Sequence, residues 1–268
     1  METRAASNPQ RLPVAVCMIA GAEAGRIRRA LESVAGWTGE IIVVLNDDVA
    51  DGTDKIAESF GAKIFREPWK GHIAQKNSAA DKASCEWILG LDADEEVSAA
   101  LRGEIQELFS AAEKLEPFAA FSFPRCSFYC GRWIRHGDWY PDRQTRLWRL
   151  NMAEWGGIDP HDKLLVRGKT RKLHNDLFHH NAESIDHQIS KISRYSEDFL
   201  REANLRGHKS GWFDIFVRPT WRFARGYFFR LGFLDGWQGW HIAWMTAFYT
   251  ATRYVKVRAA QKGSTEPD

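Results

Sequence analysis

Trp87-Ile88-Leu89-Gly90-Leu91-Asp92-Ala93-Asp94-Glu95-Glu96 is an apolar run that stops at four carboxylates within five residues. The five uncharged residues ending at Leu91 have the length of a strand buried on both faces. Acids placed where such a strand ends sit on the rim of its sheet, and in open α/β sheets ligands bind at the carboxyl ends of strands. Asp-x-Asp there offers two hard oxygens to a divalent cation that keeps its other positions for water and phosphate. The same acids also suit a solvated turn ahead of a helix N-terminus. A motif this short does not choose between the two.

Working outward, residues 14–20, 41–45 and 63–65 read as strands, and residues 26–34, 53–60 and 71–83 as helices between them. Ile27, Ala30, Leu31 and Val34 fall at helical spacing, and Ser98 is placed to cap a helix carrying Leu101, Ile105, Leu108 and Phe109. Strands alternating with helices of this length predict βαβ units and a mostly parallel sheet, an α/β fold. The loops after Ala20, Leu45 and Leu91 then open on one edge, so three distant stretches build one crevice. Beyond Phe118 the alternation fails, and residues 118–123, 145–150 and 163–167 read as strands of a more mixed arrangement. A long helix follows over 185–204.

The totals narrow the class. With 268 residues, 44% hydrophobic and 27% charged, the chain is an ordinary globular protein. A net charge of +2 is too small for a nucleic-acid binder by bulk attraction, and no RNA-binding signature accompanies the aromatics, so no nucleic-acid partner is expected. Cys126 and Cys130 make a weak zinc signal without a second pair; together with Cys17 and Cys85 they read as free thiols of a reducing compartment. Residues 1–13 are polar, with no secretory signal, and no window offers the ~20 apolar residues of a spanning helix. The expectation is a cytoplasmic protein. From Trp212 to Tyr254 there are fifteen aromatics, interleaved with Arg218, Arg222 and Arg225 at helical spacing. That pattern suits a helix lying in a lipid headgroup layer, or aromatic packing of a helical region onto the sheet.

Three separated motifs carry a resemblance. Ile41-Ile-Val-Val-Leu-Asn-Asp-Asp-Val-Ala-Asp-Gly-Thr53, Gln75-Lys-Asn77 and Leu91-Asp-Ala-Asp-Glu95 resemble, in order and spacing, the nucleotide-sugar half of family 2 inverting glycosyltransferases. Gly137-Asp-Trp-Tyr-Pro-Asp-Arg-Gln-Thr-Arg-Leu-Trp-Arg149, His161-Asp162, His179 and Gly232-Phe-Leu-Asp-Gly236 are similar to the lipopolysaccharide core β-glucosyltransferase branch. The resemblance covers roughly residues 14–258. It departs at Ala20-Gly-Ala-Glu-Ala-Gly25, where Glu23 stands without the family's Asn, and at His161-Asp162, where the branch has His-Glu.

What the resemblance implies is specific. The fold is GT-A, Rossmann-like with a mostly parallel sheet and a C-terminal aromatic-rich helical region. Residues 14–117 form the nucleotide-sugar half, 118–183 the acceptor side, and 184–258 a helical region at the membrane. Asp47, Asp51, Lys76, Asn77 and Asp92 bind the donor, a UDP-sugar; Asp94 and His161 hold the cation, Mn2+ or Mg2+. Asp162 is the base that inversion requires on the acceptor side, with Asp138 and Asp142 as rivals. Trp139, Tyr140, Asp142 and Arg146 meet the acceptor, a lipid-linked glycan on the cytoplasmic face of the inner membrane. His179 is a further candidate for shaping the metal or acceptor site. Three other classes are weighed: a catalytically silent relative acting as a binding scaffold, a nucleotidyltransferase, for which Gly21-Ala-Glu-Ala-Gly25 makes a poor phosphate loop, and a membrane-surface protein whose aromatic tail does the work.

Overall fold

The computed structural model describes residues 11–158, 161–180 and 185–263. The chain divides into two units: one takes in residues up to Arg125 together with Arg143–His180, the other Cys126–Asp142 together with residues from Asn181 on.

The first unit opens with the expected alternation: β1 (Leu12–Ala20), α1 (Ile27–Val34), β2 (Thr38–Asn46), α2 (Thr53–Ser59), β3 (Lys63–Glu67), α3 (His72–Ala80) and β4 (Trp87–Gly90). β1 pairs in parallel with β2 on one side and β4 on the other, with Val16 opposite Ile41 and Leu89, and β3 adds in parallel to β2. Strand period sorts the core into two layers. Val14, Val16 and Met18 pack with Ile27, Leu31, Leu101 and Ile105 on one face; Ala15 and Cys17 pack with Ala79, Trp148 and Trp155 on the other. Burial on both faces is what makes these strands uninterrupted apolar runs.

After β4 come β5 (Glu95–Val97), α4 (Ala99–Phe109), α5 (Ala112–Leu115), β6 (Ala120–Tyr129), β7 (Arg132–Trp133), β8 (Asp142–Arg149), β9 (Ala153–Ile158), β10 (His161–Val166), β11 (Thr170–Lys172) and β12 (Leu177–His179). Ser98 caps α4, its hydroxyl accepting the Leu101 N–H at 3.1 Å. The main sheet runs β3-β2-β1-β4-β8-β6-β12-β5. β8 is antiparallel to β4 and β12 to β5, which is the mixed arrangement expected beyond Phe118. β9 and β10 form a separate antiparallel hairpin.

The second unit is helical: α6 (Ile185–Leu205), α7 (Arg218–Ala224) between π turns at Phe213–Val217 and Arg225–Phe229, a 3-10 turn at Gly232–Asp235, and α8 (Gly236–Gly263). Its small apolar core joins Tyr129, Ile134 and Ile242. The turn before α8 is tight: a Cβ on Gly239 would lie 1.8 Å from the Gly232 carbonyl oxygen, so only glycine lets the helix start there. Among the described residues no helix is long and apolar enough to cross a membrane. All four cysteines are free.

Candidate active site

The acids after β4 are held by a turn that closes on itself. Leu91 keeps the strand direction through its N–H to the Cys17 carbonyl at 3.1 Å; the Glu95 N–H then donates to the Asp92 carbonyl at 3.0 Å, and the Asp92 N–H to Glu95 Oε2 at 3.1 Å. Gly90 has to be small, because a Cβ there would meet the rings of Trp148 and Trp155 at 3.1 Å. Leu89 pairs with Leu147 of β8, which brings Arg146 to the end of β4. Its guanidinium is buried and donates to Asp92 Oδ2 at 2.5 Å and Glu95 Oε1 at 3.0 Å. Glu95, itself buried, therefore anchors the clamp that aims Asp92.

A crevice of about 520 Å³ opens at this edge, walled by the ends of β1 (Ile19, Ala20, with Gly21 and Glu23 beyond), Asn46, Trp69, His72, Lys76, Asp92, Ala93, Asp94, Asp162 and His179. Six separate stretches thus converge on one hollow. At its floor the Lys76 ammonium bridges two carboxylates, 2.9 Å from Asp162 Oδ2 and 3.2 Å from Asp92 Oδ1, and lies over the Trp155 ring at 4.6 Å. At its lip Asp94 Oδ2 stands 3.5 Å from His179 Nε2 and 3.8 Å from an Arg26 nitrogen. β12 sets this last pairing, since His179 lies opposite Glu95 and the His180 N–H donates to the Asp94 carbonyl at 2.8 Å.

Electrostatics keep both acids of the motif ionised. Burial works to raise the Asp92 pKa, but the charges of Arg146 and Lys76 overcome it and hold the carboxyl well below the carboxylate range. Burial also opposes ionisation of Asp94, and the hydrogen bond and charge of His179, with Arg26 further off, bring its pKa below the usual value. Among the described residues no three His, Cys, Asp or Glu side chains gather as a metal cage. Asp92 is already neutralised by two cations. Asp94 and His179 are the side chains at the lip that could hold a divalent cation, leaving its remaining positions to phosphate oxygens and water.

The other expected residues are placed as follows. Asp47 is exposed and does not wall the crevice; its neighbour Asn46 does, with a buried side-chain oxygen that has no hydrogen-bond partner among the described residues. Asp51 ties two loops together, accepting from the Ala24 N–H at 3.0 Å and the Thr53 hydroxyl at 2.6 Å, and the Thr53 hydroxyl is the main reason its pKa is lowered. Asn77 is spent on the hairpin, exchanging two hydrogen bonds with the Trp155 backbone at 2.8 and 2.9 Å. Trp139, Tyr140 and Asp142 belong to the helical unit, where Trp139 meets the Tyr129 ring edge-on. Asp138, weighed as a rival base, has its carboxylate oxygens buried there among Arg222, Arg225 and Arg230 at 3.1 to 3.8 Å. The side chain of His161 lies outside the described residues. Sequence reasoning did not single out Trp69, His72 or Glu95. The available signal for Trp69 was a large aromatic in the turn between β3 and α3, at the crevice edge of the sheet.

Comparison with known proteins gives a consistent result. A family model described as Glycosyl transferase family 2 matches residues 15–173. An uncharacterized glycosyltransferase of Rickettsia bellii is 30% identical over 246 residues, covering 88% of this chain and 83% of that protein. The lipopolysaccharide core biosynthesis glycosyltransferase LpsC of Rhizobium meliloti is 24% identical over 251 residues, covering 88% of this chain and 91% of its own. In three dimensions the chain is similar to the mannosyltransferase PcManGT from Pyrobaculum calidifontis, solved with GDP-Man and Mn2+ (TM-score 0.52, 13% identity, 94% of this chain and 88% of that one).

Proposed function

The chain belongs to glycosyltransferase family 2 and carries the GT-A fold, and from that premise we propose that it moves a hexose, with inversion, from a UDP-sugar to a lipid-linked glycan of the lipopolysaccharide-core kind. The observation that carries this reading is the crevice itself, where Asp92, Asp94, Asp162, Lys76 and His179 converge from far apart in the sequence. LpsC, named for lipopolysaccharide core biosynthesis, and a mannosyltransferase solved with its nucleotide sugar support the substrate class.

Each side chain has a task in this scheme. Asn46 receives the nucleoside, on a loop that Asp51 ties in place, and Asp92 turns toward the ribose. Asp94 and His179 would hold a divalent cation, Mn2+ or Mg2+, which would supply neutralisation of the departing diphosphate. Lys76 is placed to exchange partners: an incoming diphosphate competes for its ammonium, and the contact with Asp162 opens. The freed Asp162 carboxylate takes the proton of the attacking acceptor hydroxyl as the new bond to the anomeric carbon forms and the bond to the phosphate oxygen breaks. Asn77 keeps the β9–β10 hairpin, and so Asp162, in register with α3.

The acceptor's membrane origin rests on the second unit. Trp212, Trp221 and Phe229 are 68%, 54% and 70% exposed, and Trp237, Trp240 and Trp244 are exposed as well. Aromatics outward beside arginines suit a headgroup layer, on the cytoplasmic face of the inner membrane in this reading. The test is donor binding and transfer by the purified protein with UDP-glucose, UDP-galactose and GDP-mannose in the presence of Mn2+. A UDP-sugar is expected to bind and turn over. Failure of every donor to bind overturns the reading, whereas tight binding with no transfer to any glycan leaves a silent relative.

A further inference from the structure

A second cavity of about 560 Å³ shares Lys76, Asp92 and Asp162 with the crevice and extends beyond them along β8 and β10. Its character is different. Apart from the shared residues it is lined by Arg125, Arg143, Arg146 and Lys163, with Gln144 and Thr145 between them. Basic side chains in the whole lining number five, against the two carboxylates. Resting on the reading of the crevice as the donor site, we propose that this cavity holds the acceptor and is built for a glycan that carries an anionic group, a phosphate or a sugar carboxylate, near the hydroxyl to be glycosylated.

Geometry and charge carry the assignment. Asp162 walls both hollows, so a base there faces a donor on one side and a hydroxyl on the other. The cations divide into two sorts. Arg146 and Arg125 are partly occupied, the first by Asp92 and Glu95, the second by Glu95 at 3.4 Å. Arg146 is 95% buried by its 5% side-chain exposure, yet its Nε has no hydrogen-bond partner among the described residues. A buried donor left open in this way costs free energy unless something completes it. Arg143 and Lys163 are exposed; Arg143 spends one nitrogen on the Leu173 carbonyl at 3.0 Å, and the Lys163 ammonium has no hydrogen bond or ion pair among the described residues. Among the described lining residues the exposed cations are Arg143 and Lys163, and the carboxylates are the two shared with the donor crevice. A neutral sugar would leave those cations unmatched, whereas a phosphate or carboxylate meets the forked guanidinium of Arg143 and the point charge of Lys163.

The experiment holds the full chain with UDP and Mn2+ and titrates glucose, glucose 6-phosphate and glucuronate, following ligand signals by NMR. At least one anionic sugar is expected to bind about tenfold more tightly than glucose, roughly one charge-assisted contact in free energy. The phosphate and carboxylate arms tell which anion is preferred. That margin is expected to vanish in the Arg143→Ala/Lys163→Ala protein and to shrink in Lys163→Ala alone, with UDP affinity unchanged in both. Equal binding of neutral and anionic sugars, survival of the margin in the double variant, or displacement of the anionic sugar by UDP would each overturn the proposal. Failure of UDP itself to bind would instead sink the donor reading, and the anion preference is then measured without nucleotide.

Discussion

The two units of this chain dispose of polarity in opposite ways. In the sheet unit, Val16, Ile42, Leu89 and their neighbours fill the interior, and charge is pushed to one lip, where Lys76, Arg146 and the acids satisfy one another. The helical unit reverses this. Asp235 is buried and so are the carboxylate oxygens of Asp138, the latter among three arginines and the former held by the backbone N–H groups of Arg135 and His136 at 2.9 and 2.7 Å, while Trp and Phe side chains stand in solvent. The difference teaches that burial of apolar area stabilises the first unit, whereas the second is pinned by carboxylates and leaves large apolar side chains exposed. In the proposed function chemistry belongs to one unit and attachment to the other, and substitutions can separate them.

The largest separation is expected at Asp162. Asp162→Asn keeps shape and removes the base, so transfer should fall by roughly 10²- to 10⁴-fold while donor affinity measured calorimetrically stays near that of the parent. Asp94→Ala behaves differently: it withdraws a cation ligand, and donor binding should lose its dependence on Mn2+. Neither change is expected to alter association with lipid vesicles. If Asp162→Asn also abolished vesicle binding, the division of labour between the units would be wrong.

Next in size is Asp235. Its carboxylate accepts the His136 ring nitrogen at 3.1 Å as well as the two backbone groups, and lies 3.6 Å from Arg132. Asp235→Ala takes the shared acceptor from these part-buried donors, which costs about 2 kcal/mol. In denaturant titration the helical unit should then unfold earlier than the sheet unit, while UDP binding survives in the folded fraction. The outward rings predict the reverse pattern. Trp240 and Trp244 stack 6.1 Å apart on α8 and are half exposed. Replacing both with Ser should change stability by only about 0.5 kcal/mol and reduce partition onto anionic vesicles by roughly tenfold or more. A large loss of stability with unchanged partition would mean that these rings are core.

Much of the sheet unit was legible because its signals are local. The apolar run through Leu91 and its sudden acids, the helical spacing of Ile27 to Val34 and the Ser98 cap each state their structure within a few residues. Arg146 shows where legibility stops. The resemblance gave it a role toward the acceptor, but its grip on Asp92 and Glu95 depends on the antiparallel register of β8 against β4, which no local pattern encodes. Asn77 is similar: its place in a recognisable motif did not show that a hairpin backbone some eighty residues on would take up its amide. In the helical unit, Gly232-Phe-Leu-Asp-Gly236 stood out as a motif, yet the reason for it is a contact between Gly232 and Gly239 and a carboxylate reaching back to residues 135 and 136. Long-range closure of this kind is a property of the folded chain rather than of the stretch.

The smallest predicted effect tests how far the sheet unit relies on satisfied charge. Glu67, at the end of β3, joins Lys70, Lys82 and Ser78, and their hydrogen bonds, that of Lys70 foremost, lower its pKa from 4.5 to about 2. Glu40 on β2 also falls to about 2; burial opposes its ionisation, but Lys63, Ser84 and the Cys85 N–H outweigh it. Both folded-state values lie below the unfolded ones, so the stabilisation is complete above about pH 4.5 and is lost as pH falls through about 2. Stability measured against pH should therefore decline across that window, and Glu67→Gln should flatten part of the slope while lowering the plateau near neutrality. Because Glu67 is partly solvated and its lysine partners are exposed or half-buried, screening keeps the plateau loss near 1 kcal/mol, and added salt should reduce it further. A slope unchanged in Glu67→Gln would assign the acid sensitivity of this unit to other carboxylates, Asp92 and Asp94 first among them.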